Sequence, residues 1–265
     1  MYRFPDVMDP WRAATDNWSE LCVAMGCTAM RTSGAIVQTY PIERSGTFYN
    51  SALVQNPQSF VLDDVERLFG ERKLPFVIIL PQLKPYFELA RSLEERGYSL
   101  APPWILMIHN RPEGQSNPAV KVEQIDGSKI LDWFELQEAF PQAEGTRQTR
   151  LEMIKRLSRE ASAQLLIATI EGRFVGAGLL FVKNQVASIH MIATLAEYRR
   201  KHVATTVTLE AIRRARKSQP NLVWLRTRKG GTGQKVYTRI GFEVFSEILS
   251  YTKTPRFEET NLPPK

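Results

Sequence analysis

Ile192-Ala193-Thr194-Leu195-Ala196-Glu197-Tyr198-Arg199-Arg200-Lys201-His202-Val203-Ala204 joins an apolar strand to the start of a helix. Upstream, residues 186–194 are apolar and strand-like, and an Asn184-Gln185 turn precedes them. Downstream, Val203, Val207, Ala211 and Ala215 recur at helical spacing, which predicts a helix over 205–217 that Pro220 stops. Backbone N–H groups at a helix start have no partner within the helix, and they carry the positive end of its dipole. With Arg199, Arg200 and Lys201 just before it, this start is suited to an anion such as a pyrophosphate.

Working outward, residues 120–125 read as a short strand, and 129–140 and 147–160 as helices. Residues 164–170 and 174–182, joined at Glu171-Gly172, read as a hairpin that 186–194 extends into a meander. After the helix come a buried-type strand at 222–225, a short helix at 233–239 ended by Gly241, and a long strand region at 242–253. The fold class expected is α/β with a mixed sheet, in which an antiparallel meander leads into a strand–helix–strand crossover.

The first half carries a fainter version of the same ending. Leu93-Glu94-Glu95-Arg96-Gly97-Tyr98 echoes Tyr237-Thr238-Arg239-Ile240-Gly241-Phe242, each after a strand of one kind and before another. Asn110 to Pro118 is polar, with two prolines and a glycine. The expected organisation is a degenerate copy over 1–112, a linker at 113–118, a complete copy over 119–253 and a tail over 254–265.

The composition, 43% hydrophobic and 24% charged, is that of a globular protein, and no run of about 18 apolar residues suggests a membrane span. The first eleven residues hold Pro and Asp where a secretory signal would be apolar. Cys22 and Cys27 fit neither a CxxC nor a zinc pattern, and free thiols point to a reducing, cytoplasmic setting. His109, His190 and His202 lie too far apart for a metal motif. The net charge is +7, yet residues 199–239 hold twelve basic residues against Glu210 alone. That excess suits an anionic ligand. Few aromatic residues interleave the basic ones, which disfavours nucleic acid.

Residues 120–253 resemble the GNAT superfamily of acetyl-CoA-dependent N-acyltransferases. The resemblance rests on the Ile192–Ala204 run, which is similar to the family's cofactor strand, its Arg/Gln-x-x-Gly-x-Gly/Ala loop and the following helix. It rests also on Val236-Tyr237-Thr238-Arg239-Ile240-Gly241-Phe242, similar to a second signature in which a helix ends in Tyr-x-x-x-Gly-Phe. The loop glycine is replaced by His202, whose Cβ stands where a diphosphate approaches the backbone. The resemblance implies one acetyl-CoA site, held by Ile192, Ala193, Thr194, Arg199, Arg200, Lys201, His202, Val203, Ala204 and Thr205. In the first half the corresponding residues, 56–64, lack the loop and carry Asp63 and Asp64 instead.

Acyl transfer to an amine needs a proton acceptor, oxyanion stabilisation and a proton for the leaving thiolate. His190 is the candidate base, an imidazole with an ordinary value near 6.5, and strand alternation puts it on the same side as Ile192 and Thr194. The resemblance gives Tyr237 the role of general acid. It also implies direct attack in a ternary complex, with the cofactor strand splayed from its neighbour. Trp133, Phe134 and Phe140 are candidates for an acceptor-pocket wall, and Glu138 and Glu144 for attracting a cationic amine. For all five, core packing or surface placement is the plainer reading. The expected acceptor is a small-molecule or peptide amine. A non-catalytic acyl-CoA-binding regulator and an aminoacyl-tRNA-dependent transferase remain alternatives.

Overall fold

The computed structural model describes residues 9–40, 49–111, 114–138 and 146–253. Phe140, Glu144 and the expected tail over 254–265 lie outside them. The first half runs α1 (Pro10–Ala24), β1 (Thr28–Thr32), β2 (Ala35–Thr39), β3 (Ser51–Val54), α2 (Leu62–Glu71), β4 (Val77–Pro81), α3 (Phe87–Glu95), β5 (Ser99–Leu100) and β6 (Trp104–His109). The second runs β7 (Lys121–Gln124), α4 (Ile130–Glu138), α5 (Arg147–Leu157), β8 (Ala163–Ile170), β9 (Arg173–Lys183), β10 (Val186–Thr194), α6 (Val203–Arg216), β11 (Leu222–Arg228), α7 (Thr232–Arg239) and β12 (Phe242–Thr252). Local chemistry sets many of the boundaries. Asp9 caps α1 by accepting from the Trp11 N–H at 2.9 Å, and Thr146 caps α5 through the Thr149 N–H at 3.1 Å. Asn184 and Gln185 both take positive φ (52° and 58°), as a two-residue hairpin turn requires.

All the described strands join one sheet in the order β1-β2-β3-β4-β12-β6-β11-β10-β9-β8-β7, with β5 beside β12. Each half repeats one plan: an antiparallel meander (β1-β2-β3; β8-β9-β10), then a helical crossover to a parallel neighbour (β4; β11). The final strands are exchanged. β6 of the first half lies against β11, from Trp224↔Ile108 to Arg228↔Trp104, while β12 lies against β4, from Ile248↔Pro81 to Thr252↔Val77. β6 and β12 also pair with each other. The polar stretch between the halves therefore divides the sequence but not the sheet. Its Asn117 is tied to the second half, the N–H donating to Thr206 Oγ1 at 3.0 Å and Nδ2 to the Lys201 C=O at 3.0 Å.

α1 binds the halves on one face of the sheet. Trp11 Nε1 donates to the Val54 C=O at 2.7 Å, and buried Asn17 donates to the Val186 C=O at 3.1 Å while accepting from Trp224 Nε1 at 3.3 Å. α4 and α5 share this face. Trp133 is part of its core, with Nε1 donating to the carbonyls of Leu166 and Gly178, so it is a packing residue and not a pocket wall. α6 covers the opposite face through Val203, Val207, Ala211 and Ala215, all buried as their spacing predicts. Burying a valine is worth about 1.5–3 kcal/mol, so this stripe fixes the helix on the sheet. Gly176 and Gly178 on β9 permit the close approach. A Cβ on Gly178 would lie 2.7 Å from both Ile192 Cδ1 and Val207 Cγ1, and one on Gly176 would lie 2.8 Å from the Ala193 carbonyl oxygen.

Candidate functional site

β10 and β11 pair in parallel from Val186↔Leu222 to Ile189↔Leu225 and then part. Beyond that point, among the described strands, β10 keeps only β9 as partner and β11 keeps only β6. The cause is a bulge. His190 pairs with Leu179, but the next pair is Ala193↔Ala177, so β10 holds an extra residue. Met191 absorbs it in the left-handed region at φ 53°. Gln137 on α4 secures the bulge, its Nε2 donating to the Met191 C=O at 2.8 Å.

The extra residue overturns the simple alternation expected for β10. His190 faces α1 and α4, its ring edge-on to Trp224 with centroids 5.4 Å apart. Ile192 and Thr194 face α6 instead, Ile192 against the Gly178–Val207 contact and Thr194 opposite Gly176. The strand at 222–225 is also longer than expected. It runs to Arg228, and Arg226 and Arg228 stay on the Trp224 face because aromatic rings receive them. The Arg226 guanidinium carbon lies 4.1 Å from the Trp18 ring centroid and 5.3 Å from that of Trp104.

A cavity of about 600 Å³ opens where the strands part. His190, Met191, Ile192, Arg226, Thr227 and Tyr237 lie at its centre. α4 and α5 add Phe134, Gln137, Glu138 and Arg150, and the first half adds Met25, Tyr49, Val77, Ile79 and Trp104. Glu138 does not stand open as an amine anchor: Arg150 grips it with two hydrogen bonds of 2.9 and 2.6 Å.

Desolvation, with a smaller contribution from the neighbouring Arg226 charge, pushes the His190 imidazole down to about 3. The ring is thus neutral across the physiological range, in contrast to the ordinary value near 6.5 expected of it, and its buried Nε2 has no partner among the described residues. Burial pushes the Tyr237 phenol up to about 12, so it keeps its proton at neutral pH. Its ring rests edge-on against Phe242, with centroids 6.1 Å apart.

At the mouth on the α6 side, the loop predicted to hold pyrophosphate is built around two left-handed residues, Arg200 (φ 66°) and His202 (φ 57°). His202 sits at the N-cap without a capping bond, and the first helical bond runs from the Thr206 N–H to the His202 C=O. That leaves the N–H groups of Val203, Ala204 and Thr205 without helical partners. Arg199, Arg200, Lys201 and His202 are exposed around them, whereas the Val203 side chain is core and only its backbone is available. Ala193 is buried on the far face. Thr194 Oγ1 is buried without a hydrogen-bond partner among the described residues. An orphaned hydroxyl, a strand edge lacking a neighbour and an open helix start fit a long ligand with an anionic end and a hydrogen-bonding arm.

The equivalent place in the first half is closed. β3 and β4 pair only as far as Leu53↔Ile79, but the chain beyond is tied to itself. The N–H groups of Gln55 and Asn56 both donate to the Gly34 C=O, and Tyr86 Oη donates to the Gln55 C=O at 2.8 Å. Asp63 and Asp64 occupy the first turn of α2.

Sequence reading missed Gln137 and the two arginines of β11. The Trp224-Thr227 alternation carried a signal for Arg226, since it shares parity with Trp224. No sequence signal marks Gln137, because its role depends on a bulge in a distant strand.

No helix among the described residues is long and apolar enough to cross a membrane. No curated protein matches the chain in sequence. A functionally unknown conserved protein from Staphylococcus epidermidis superposes with a TM-score of 0.65 at 13% identity, covering 86% of this chain and 94% of that one. A GCN5-related N-acetyltransferase from Kribbella flavida has a TM-score of 0.65 at 14% identity, over 91% of this chain and 95% of its own. A tandem GNAT protein from the clavulanic acid biosynthesis pathway has 0.59 at 12% identity, over 84% and 79%. These likenesses concern the fold. In sequence, the profile of the acetyltransferase (GNAT) family matches residues 130–242. Those residues contain the bulged strand, the α6 start and Tyr237, and they therefore form a domain of the GNAT acetyltransferase family within a chain that has the GNAT fold over most of its length.

Proposed function

We propose that the chain transfers an acetyl group from acetyl-CoA to the nitrogen of an amine, by direct attack with both substrates bound. The observation that carries this reading is the parting of β10 and β11 after Ile189↔Leu225, beside the open start of α6. Bound acetyl-CoA supplies the activated acetyl thioester. The N–H groups of Val203, Ala204 and Thr205, with Arg199, Arg200 and Lys201, would hold its diphosphate. The free edge of β10 at Ile192–Thr194 would bind its pantetheine arm. Tyr237, which lines the cavity and keeps its proton at neutral pH, would give a proton to a departing thiolate.

His190 faces the acceptor side of the opening as a neutral imidazole. Its unpartnered Nε2 would accept from an amine N–H in the Nδ1–H tautomer, and its depressed basicity favours an amine that reaches the site already uncharged. The buried, unbridged thiols of Cys22 and Cys27 suit a reducing compartment such as the cytoplasm.

Titration calorimetry with acetyl-CoA, followed by a CoA-release screen across amines, tests this directly. Tyr237→Phe is expected to bind acetyl-CoA normally and lose most turnover. No heat with acetyl-CoA at any concentration up to millimolar would refute the proposal.

A further inference from the structure

We infer that the acceptor is a primary amine at the end of a linear, mainly apolar chain, and that the first half of the molecule holds the far end of that chain. This inference rests on the transferase reading above. The floor of the cavity crosses five neighbouring strands, β10, β11, β6, β12 and β4, with His190, Arg228, Trp104, Ile248 and Ile79 among its residues. Register puts the last four on one face of the sheet. Arg228 pairs with Trp104 and Trp104 with Ile248, and two residues along β12 Ser250 pairs with Ile79. Strands lie about 4.8 Å apart, so the floor measures about 19 Å from β10 to β4. A cavity of about 600 Å³ over that length has a mean cross-section of about 30 Å². An extended peptide with its side chains fills about 48 Å², the product of the strand and sheet spacings, so the cavity suits a thinner, unbranched chain. With the nitrogen at the strand opening, the stretch from β11 to β4 takes about 14 Å, or about twelve bonds of extended chain.

The chemistry of the floor changes along this path. Beyond the arginines of β11 it is Trp104, Ile248 and Ile79, while Met25, Met153 and Ile154 line the helical side. At the far end Ser250 and Thr252 are half-buried, and their hydroxyls hold no hydrogen bond among the described residues. A neutral polar group on the end of the chain, such as a hydroxyl, would find its partners there. Glu138, the sole carboxylate among the described lining residues, is already held by Arg150 through two bonds. A second ammonium along the chain would therefore meet no open carboxylate in this lining, which disfavours polyamines.

The test uses the full chain with acetyl-CoA and follows CoA release at pH 9. The acceptors are the linear alkylamines from butylamine to dodecylamine, ten-carbon amino-alcohol with its groups at opposite ends, spermidine and a trileucine amide. Linear alkylamines share nearly one basicity, so length alone varies across the series. We expect kcat/KM to rise about two- to fourfold for each added methylene as far as about ten carbons, and then to level off. The amino-alcohol should exceed decylamine about threefold. Ser250→Leu, which fills the far end, should lower kcat/KM for decylamine at least ten times more than for butylamine. Acetyl-CoA affinity by calorimetry reports that the variant is folded. Should Ser250→Leu fail to fold, Thr252→Val takes its place. It keeps the shape and removes one hydroxyl, and should erase most of the amino-alcohol's advantage. Rates that do not change with chain length, or spermidine or the peptide amide exceeding every alkylamine, would overturn the inference and leave the transferase reading standing. An equal loss for decylamine and butylamine in a Ser250→Leu protein that still binds acetyl-CoA would do the same. If acetyl-CoA binds but no amine of any class releases CoA, the transferase reading fails, and this inference fails with it.

Discussion

Replacing His202 with glycine should make the protein more stable, although it removes a side chain from a helix N-cap. His202 holds φ 57° and ψ 21°, a left-handed conformation that costs a residue with a Cβ about 1–2 kcal/mol. Its ring is exposed and makes no capping bond, so little packing is lost with it. Glycine also gives the unfolded chain extra freedom, which takes back about 0.4–1 kcal/mol. The net gain is about 0.5–1 kcal/mol. In urea unfolding at pH 8 it should appear as a higher midpoint with an unchanged slope, and in thermal unfolding as a rise of about 2 °C. His202→Ala keeps the Cβ and should show no gain. The glycine variant should also bind acetyl-CoA at least as tightly, since the backbone loop keeps its shape and loses bulk. A glycine variant less stable than wild type, at equal slope, would refute the reasoning.

Three further outcomes follow from contacts already described. Gly178→Ala places a methyl 2.7 Å from both Ile192 and Val207, and should cost about 1–3 kcal/mol in urea unfolding while weakening acetyl-CoA binding measured by calorimetry. Gln137→Leu leaves the Met191 carbonyl without its donor and should cost about 1–3 kcal/mol. Because the bulge then loses its tether, turnover should fall about tenfold with little change in acetyl-CoA affinity, and a variant with normal turnover would count against a positioning role. Finally, burial lowers the His109 imidazole to about 4, so below pH 6.5 the unfolded chain takes up a proton that the folded chain refuses. Stability present at pH 7 should therefore be lost as pH falls from 6.5 to 4, by about 3 kcal/mol from this residue, and His109→Gln should remove that part of the slope. His190 adds a loss of the same sign, extending to about pH 3.

The second half of the fold was largely legible in the sequence, because its elements follow strong local rules. The α6 stripe, the turns at Glu171-Gly172 and Asn184-Gln185, and the helix ending at Gly241 each have a local cause. The face presented by His190 was not legible. Alternation assumes an unbroken strand, and nothing in Ile189-His190-Met191-Ile192 announces that Met191 will turn left-handed. The end of β11 was misjudged for a related reason. Arg226 and Arg228 look like the close of a buried strand until Trp18 and Trp104, more than a hundred residues apart from one or the other arginine, are brought over them. The pairing of β6 and β12 was hidden by the repeat itself. Two units with one pattern, a helix, a glycine and a strand, give no local sign of which sheet each strand will complete.

That exchange sets an order on how the chain comes together during synthesis. β4 acquires its second neighbour only when β12, the last described element to leave the ribosome, has emerged. β6, made long before, has no lasting partner until residues 222–252 follow. The first half must therefore wait with an open strand edge and a loose apolar strand, the conditions under which nascent chains rely on holding factors. Neither half, cut at residue 114, would carry the strand that its own part of the sheet uses, so separating the halves breaks the β12–β4, β6–β11 and β6–β12 pairings of the sheet.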